Sequence, residues 1–267
     1  MKSYRFIIRS KNPSAQLLRD QLRNTRLRTP VIVRIGSTTR TNQIKTDITP
    51  IEINTVDGVV NSSDKKKMKE LFDMAGVRTA EWVWGEEDAS HLGFPLIIKH
   101  RHSHGGNGLF FIQTQEELDE FINTQEELDR FIHSNIHLRN YIIEKYYNYG
   151  REYRLHVFED RCIYTCRKLI KNDTPDDQRW HRHDCNCVWY IESNPLFNKP
   201  ETWDEIVAEC VKAKDAVGLD IAAIDVKVST NGRDFIILET NSGPSLGEGT
   251  AERYANTLLN HFESIII

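Results

Sequence analysis

Apolar and polar positions follow two periods along the chain, and the two periods predict most of its elements. Short runs that are continuously apolar or alternate with period two read as strands: Tyr4 to Ile8, Val31 to Ile35, Phe94 to Lys99, Leu109 to Ile112, Tyr141 to Tyr147, Gly150 to Phe158, Cys162 to Arg167, Ile221 to Val228 and Phe235 to Asn241. Stripes of period 3.6 read as helices. Ser14 to Leu22 is one, with Ser14 as its N-cap. A second opens near Asp64-Lys65, carries Met68, Leu71, Phe72 and Ala75, and stops at Gly76. A third runs from Trp203 to Val217, with Ile206, Val207, Cys210 and Val211 inward and Gly218 as its C-cap. Short extended runs are expected around Ile51 to Ile53 and at Val59-Val60, and residues 171 to 187 read as a polar loop.

One stretch repeats itself. Thr114-Gln115-Glu116-Glu117-Leu118-Asp119-Glu120-Phe121 recurs as Thr124-Gln125-Glu126-Glu127-Leu128-Asp129-Arg130-Phe131. Each copy has the Thr-to-Glu spacing of a capping box, so the pattern allows two helices or one long one, and in either form it reads as a surface duplication without chemistry.

Composition narrows the classes. The 267 residues carry a net charge of −4, which disfavours bulk nucleic-acid binding, and no run reaches the roughly 18 apolar residues of a membrane span. The start, Met1-Lys2-Ser3-Tyr4-Arg5, lacks a secretory signal pattern, and five cysteines without regular spacing fit reduced thiols, so a cytoplasmic protein is expected.

The chemistry concentrates at strand ends. Glu239 and Asn241, two residues apart on a strand closed by Gly243-Pro244, project to one side. The turn Asn231-Gly232 would pair that strand with the one carrying Asp225, giving three oxygen ligands of the kind a hard divalent cation takes; the alternative is two buried strands with carboxylates at the rim. Upstream, Lys99 ends a strand before a loop with Gly105, Gly106 and Gly108, whose backbone N–H groups can surround phosphate oxygens, although such hairpins also occur for steric reasons. The order of a P-loop or Rossmann fingerprint is absent. Lys65 opens a lysine run that is otherwise a solvated face, and Glu152, Arg154 and His156 share one face of a strand. His181, His183, Cys185 and Cys187 alternate, yet neighbouring strand positions splay too widely to close a zinc tetrahedron alone, so an ordinary loop is the preferred reading.

Taken in this order, the pieces resemble the ATP-grasp superfamily over residues 62 to 267, nearest to carboxylate–amine ligases and to phage-borne members. The resemblance implies an α+β ATP-grasp fold, two lobes gripping ATP, preceded by a small α/β lobe. The expected divisions are 1–61, 62–145 with the Gly-rich lid, and 146–267 with the metal-binding strands. It implies that Lys65 and Lys99 contact phosphates under a lid containing Gly105, Gly106 and Gly108. Glu144, Lys145, Tyr146 and Tyr147 would form the adenine hinge, and Glu152 would hold the ribose. Asp225, Glu239 and Asn241 would hold Mg²⁺, two ions, with Mn²⁺ as a substitute, and Arg154, Lys168 and Arg182 would serve the acyl phosphate. The family's Arg-Asn pair is replaced here by Arg182-His183-Asp184-Cys185, which breaks the pattern at the acceptor loop. The implied activity is amide-bond formation between a carboxylate and an amine, on small, peptide or protein substrates, with no membrane or nucleic-acid partner and with a homo-oligomer as one arrangement. A small-molecule kinase and a non-catalytic ATP-binding regulator are the alternatives.

Overall fold

The computed structural model describes residues 2–267 apart from Glu86, His104, Gly106, 132–136 and Asp184, with Phe131 described by its backbone alone. The described residues form three sheets. β1 (Phe6–Ser10), α1 (Ala15–Leu22), β2 (Val31–Ile35) and β3 (Ile51–Ile53) make a parallel sheet in the order β1-β2-β3. Ser14 takes the N-cap position of α1, as expected, but its side chain makes no capping hydrogen bond. Its backbone is already helical, and its hydroxyl donates to Asn12 Oδ1 and accepts from the Leu246 N–H, so the side chain serves a tertiary contact instead of the helix end.

Val59-Val60, expected as extended, lies inside α2 (Val56–Ser63), because the Thr55 side chain caps the helix at Gly58 N and Val59 is buried on its inner face. α3 (Lys65–Ala75) follows directly. The Asp64 carboxylate accepts from Lys67 N, and Gly76 ends the helix at φ +64°, a left-handed position that favours glycine.

The second sheet comprises β4 (Trp82–Trp84), β5 (Leu96–His100), β6 (Leu109–Ile112) and, after α4 (Gln115–Phe131), β7 (Tyr141–Lys145), in the antiparallel order β4-β7-β5-β6. The repeat forms one helix. Thr114 accepts from Glu117 N at its start, whereas Thr124 donates its hydroxyl to the Glu120 carbonyl one turn back and starts nothing new. The third sheet contains β8 (Arg151–Phe158), β9 (Arg161–Ile170), β10 (Cys187–Ile191) and, after α5 (Trp203–Val217), β11 (Ile221–Val228) and β12 (Phe235–Asn241), in the antiparallel order β10-β9-β8-β11-β12; α6 (Glu248–His261) follows. β9 extends three residues past the expected Arg167, and β4 and β10 are strands that the hydropathy pattern does not announce.

Alternation along β8 and β11 divides the third sheet into a packing face and a working face. Tyr153, Leu155, Val157, Ala222, Ile224 and Val226 turn toward Phe72 of α3 and Ile206 and Cys210 of α5, forming one apolar core. Glu152, Arg154, Asp225 and Lys227 turn the other way. A second core joins Leu18 and Leu22 of α1 and the parallel sheet to Tyr254 and Leu258 of α6, with Phe158 and Ile221. The second sheet, or lid sheet, has its own core, Val83, Leu96, Ile98, Ile112, Leu118 and Ile143. No helix among the described residues is long and apolar enough to cross a membrane.

The parallel sheet meets the end of β12 at two glycines. Gly36 N donates to Ser242 O at 2.9 Å, and a Cβ placed on Gly243 would lie 2.8 Å from Gly36 Cα, so neither backbone could approach with a side chain present.

Candidate active site

Between the lid sheet and the third sheet lies a cleft of about 420 Å³, a size suited to a small ligand. On its floor, Asp225 of β11 stands opposite Glu239 of β12, and Asn241 stands opposite Ala223. A β-bulge at this point determines which carboxylate faces the cleft. Val226 pairs with Ile237 while Asp225 pairs with Glu239, so Leu238 is an extra residue and both Leu238 and Glu239 line the cleft. Asn241 Nδ2 donates to Glu239 Oε1 at 3.0 Å.

Asp225 is held by its neighbours on β8 and β9. Arg154 donates through Nε to Oδ1 and through Nη2 to Oδ2, each at 2.7 Å, and Lys168 Nζ lies 3.5 Å from Oδ2 and 2.8 Å from Glu152 Oε1. Burial alone would raise the Asp225 carboxyl; Arg154 and Lys168 outweigh it and hold the group well below the usual carboxylate range. The same contacts raise Arg154 and Lys168 against the effect of their own burial. Arg182 adds a longer ion pair to Glu152, 3.8 Å, and donates to the Gly150 carbonyl. Asp225 and Glu239 present carboxyl oxygens and Asn241 an amide oxygen, a donor set whose hardness fits a small divalent cation.

A second charged group closes the lid side. Glu144 of β7 lies between two lysines, with Oε1 3.1 Å from Lys69 Nζ and Oε2 2.7 Å from Lys99 Nζ. Burial would raise this carboxyl as well, and the two ammonium groups more than reverse the effect. Lys69 is fully buried, which lowers its pKa, and it also donates to Thr79 Oγ1, whose hydroxyl donates to Ile237 O at 2.8 Å. Lys65 donates to the Ser103 carbonyl, which ties α3 to the loop after β5.

Ala80 and, from β5, Ile97 on the lid side and Ile236 and Leu238 of β12 on the other line an apolar slot of the cleft, which Lys145, Tyr146 and Tyr147 also border. A strap at residues 180–183 crosses from the third sheet to the lid. The Trp180 ring stacks on Phe111 of β6 with centroids 5.2 Å apart and planes 9° apart. The Tyr146 hydroxyl donates to Trp180 O at 3.2 Å, and His183 Nε2 meets the Gly105 carbonyl. Burial lowers the His181 pKa to about 4.

Of the residues singled out from sequence, Lys65, Lys99, Gly105, Glu144 to Tyr147, Glu152, Arg154, Lys168, Arg182, Asp225, Glu239 and Asn241 all border this cleft. Gly106 lies outside the described residues. Gly108 stands behind the loop, at φ +66°, where a Cβ would come within 2.9 Å of His100 Cβ; its place is steric. The Glu144 side chain points at lysines, so only backbone at this position is left to face a ligand in the slot. His183 contacts Cys185 Sγ at 3.1 Å, Cys187 is buried, and no group of three His, Cys, Asp or Glu among the described residues is placed to hold a metal. Burial raises Cys162 to about 11 and Cys166 to about 12, so neither is a thiolate at neutral pH.

Lys69, Lys227 and Trp180 also border or brace the cleft and were not singled out. For Lys69 and Lys227 a signal existed. Lys69 falls one turn after Lys65 on the same helix face, and Lys227 follows Asp225 by two on the same strand face.

A family model described as the ATP-binding domain of the carbamoyl-phosphate synthase L chain matches residues 64–253. No curated protein matches the sequence. Among solved structures, D-alanine–D-alanine ligase from Bacillus anthracis is similar over 99% of this chain and 97% of its own, at 16% identity and TM-score 0.64. The ATP-grasp ligase PsnB, complexed with a minimal precursor, is similar over 97% of this chain and 99% of its own, at 14% identity and TM-score 0.64. Biotin carboxylase from Campylobacter jejuni, complexed with β-γ-ATP, is similar over 83% of this chain but 50% of its own, at 18% identity and TM-score 0.60. At these identities the structural likeness concerns the fold, which is α+β with the ATP-grasp arrangement of sheets. The family model spans most of the chain and covers both sheets that enclose the cleft, and on that ground the chain belongs to the ATP-grasp superfamily, in the family of the carbamoyl-phosphate synthase ATP-binding domain.

Proposed function

We propose that the chain is an ATP-dependent carboxylate–amine ligase that forms an amide bond through an acyl phosphate. The observation that carries this reading is the mixed lining of the cleft. Apolar Ala80, Ile97, Ile236 and Leu238 share it with Lys99 and Lys65 and with Glu239, Asp225, Arg154 and Lys168. The base would lie against the 145–147 edge, the ribose on Glu152, and the phosphates between Lys65 and Lys99 under the loop containing Gly105.

A carboxylate resists attack by an amine until one oxygen becomes a good leaving group. In the first step a carboxylate oxygen takes the γ-phosphoryl group, the bond to the β-phosphate oxygen breaks, and ADP is left. In the second step the amine nitrogen bonds to the acyl carbon and phosphate departs with the C–O electron pair. Such transfers need charge balance and alignment more than a protein nucleophile. Arg154 and Lys168 supply positive charge beside the acyl group, and Glu144 fixes Lys99 in place. Arg182, tied to Gly150 O and Glu152, borders the same region from the strap. Asp225, Glu239 and Asn241 would hold Mg²⁺, which when bound neutralises phosphate charge. The strap and lid together exclude water, which would otherwise hydrolyse the intermediate.

An ADP-release screen that pairs carboxylates with amines, with mass spectrometry of each product, tests the reading. Amine-dependent ADP release with a product one water lighter than the sum of its substrates is expected. A stable phosphorylated product formed without any amine would overturn it in favour of a kinase.

A further inference from the structure

Lys227 has no task in the reaction described above, yet its ammonium is buried inside the cleft. It lies on β11, opposite Ile236 of β12 on one side and Glu152 of β8 on the other. The residue is 7% exposed. Its Nζ donates to the Tyr147 carbonyl at 3.2 Å and lies 4.4 Å from the centre of the Tyr146 ring. Burying an ammonium this deeply carries a desolvation cost. A methionine or leucine here would floor the apolar slot without that desolvation cost. An ammonium carries three N–H donors, and the Tyr147 carbonyl takes one.

The position of Lys227 indicates which acceptor it serves. It stands where the apolar slot meets charged groups, between the 147 carbonyl and the Glu152 carboxylate. A purine lying in the slot with one edge on residues 145–147 and its sugar on Glu152 turns a particular edge toward this point. Two edges run between the hinge-facing side and the glycosidic nitrogen, one with N7 and the other with N3 as its ring acceptor, and 7-deaza and 3-deaza nucleotides separate them. We propose that Lys227 is a base-contacting residue whose ammonium, anchored on the Tyr147 carbonyl, donates to purine N3 and makes the site require an acceptor there. The inference rests on the nucleotide part of the reading above and extends it from phosphate handling to base selection.

Equilibrium titration of the full chain with ATP, 3-deaza-ATP and 7-deaza-ATP, in the presence of Mg²⁺, tests it. In 3-deaza-ATP a C–H replaces N3, and the native chain is expected to bind it about tenfold or more weakly than ATP, the scale of one hydrogen bond from a charged donor. Lys227→Met is expected to bind ATP and 3-deaza-ATP within about twofold of each other, while any 7-deaza penalty is the same in both proteins. Equal binding of ATP and 3-deaza-ATP by the native chain overturns the proposal without need of a variant. So does a 3-deaza penalty that persists in Lys227→Met with all three nucleotides weakened alike, because Lys227 would then be a strut for the hinge. If the native chain binds none of the three, the nucleotide reading fails and this inference with it; binding without a 3-deaza penalty overturns this inference alone.

Discussion

Arg154 grips Asp225 through two parallel hydrogen bonds of 2.7 Å, a fork-to-carboxylate pairing across the β8–β11 ladder at the floor of the cleft. The folded pKa of Asp225 is held below its unfolded value, so the pairing contributes stability that is present above roughly pH 4 and is lost as pH falls toward the folded value. Urea unfolding of the native chain should therefore show falling stability on acidification below roughly pH 4, and Asp225→Asn should flatten that slope. An unchanged slope in the variant would remove Asp225 from the acid response.

Lys69 and Glu144 form a different kind of pair, in which neither partner has access to water. Lys69→Met leaves the carboxylate buried with Lys99 alone and should cost about 3 kcal/mol in chemical denaturation. Adding Glu144→Gln should recover part of the loss. A double variant no more stable than the single one would show that Glu144 is not the group left stranded.

Glu239 is half-buried and makes no close ion pair among the described contacts, so its removal should separate chemistry from folding. Glu239→Ala should keep the thermal midpoint within a few degrees, on the scale of surface changes, and abolish ADP release. Lys99→Glu should instead weaken ATP binding, because it places a carboxylate beside Glu144 where the phosphates would lie. Unimpaired ADP release by the first variant would end the metal assignment, and native ATP affinity in the second would take Lys99 out of the site.

The Trp180–Phe111 stack joins the strap to the lid. Trp180→Ala should leave the unfolding midpoint nearly unchanged and make the 171–186 segment more sensitive to limited proteolysis. The stack itself is worth about 1 kcal/mol beyond the area it buries. Protease resistance equal to the native chain would mean that the hydrogen bonds of His183 and Tyr146 hold the strap alone.

The parts of the site that could be read in the sequence are those governed by period two and a short turn. Glu239 and Asn241 follow from alternation, and Asn231-Gly232 sets the register that brings Asp225 opposite them. The bulge at Leu238 could not be read, since no glycine or proline marks it, and it decides that Glu239 shares a face with Ile236. The spacing of Lys69 puts it on the helix face of Lys65, but its role could not be read. Its partner is 75 residues away on β7, and a lysine on a helix normally reads as solvent-facing until such a carboxylate is known. The strap has no apolar period, so Trp180 carried no local signal, and the alternation of His181 and His183 with Cys185 and Cys187 read as an ordinary loop without revealing the contact of His183 with Gly105. At Val59-Val60, β-branched composition suggested a strand, but the Thr55 cap and the buried contact of Val59 prevailed.

The glycine contact between residues 36 and 243 bears on how the molecule can move. It pins the parallel sheet to the strand end that carries Glu239 and Asn241, and the same sheet shares an apolar core with α6 and the back of the third sheet. The lid sheet keeps a separate core. In the proposed reaction the lid sheet would be the one moving jaw, while the parallel sheet and the carboxylate floor keep their register as a fixed reference frame for the substrates.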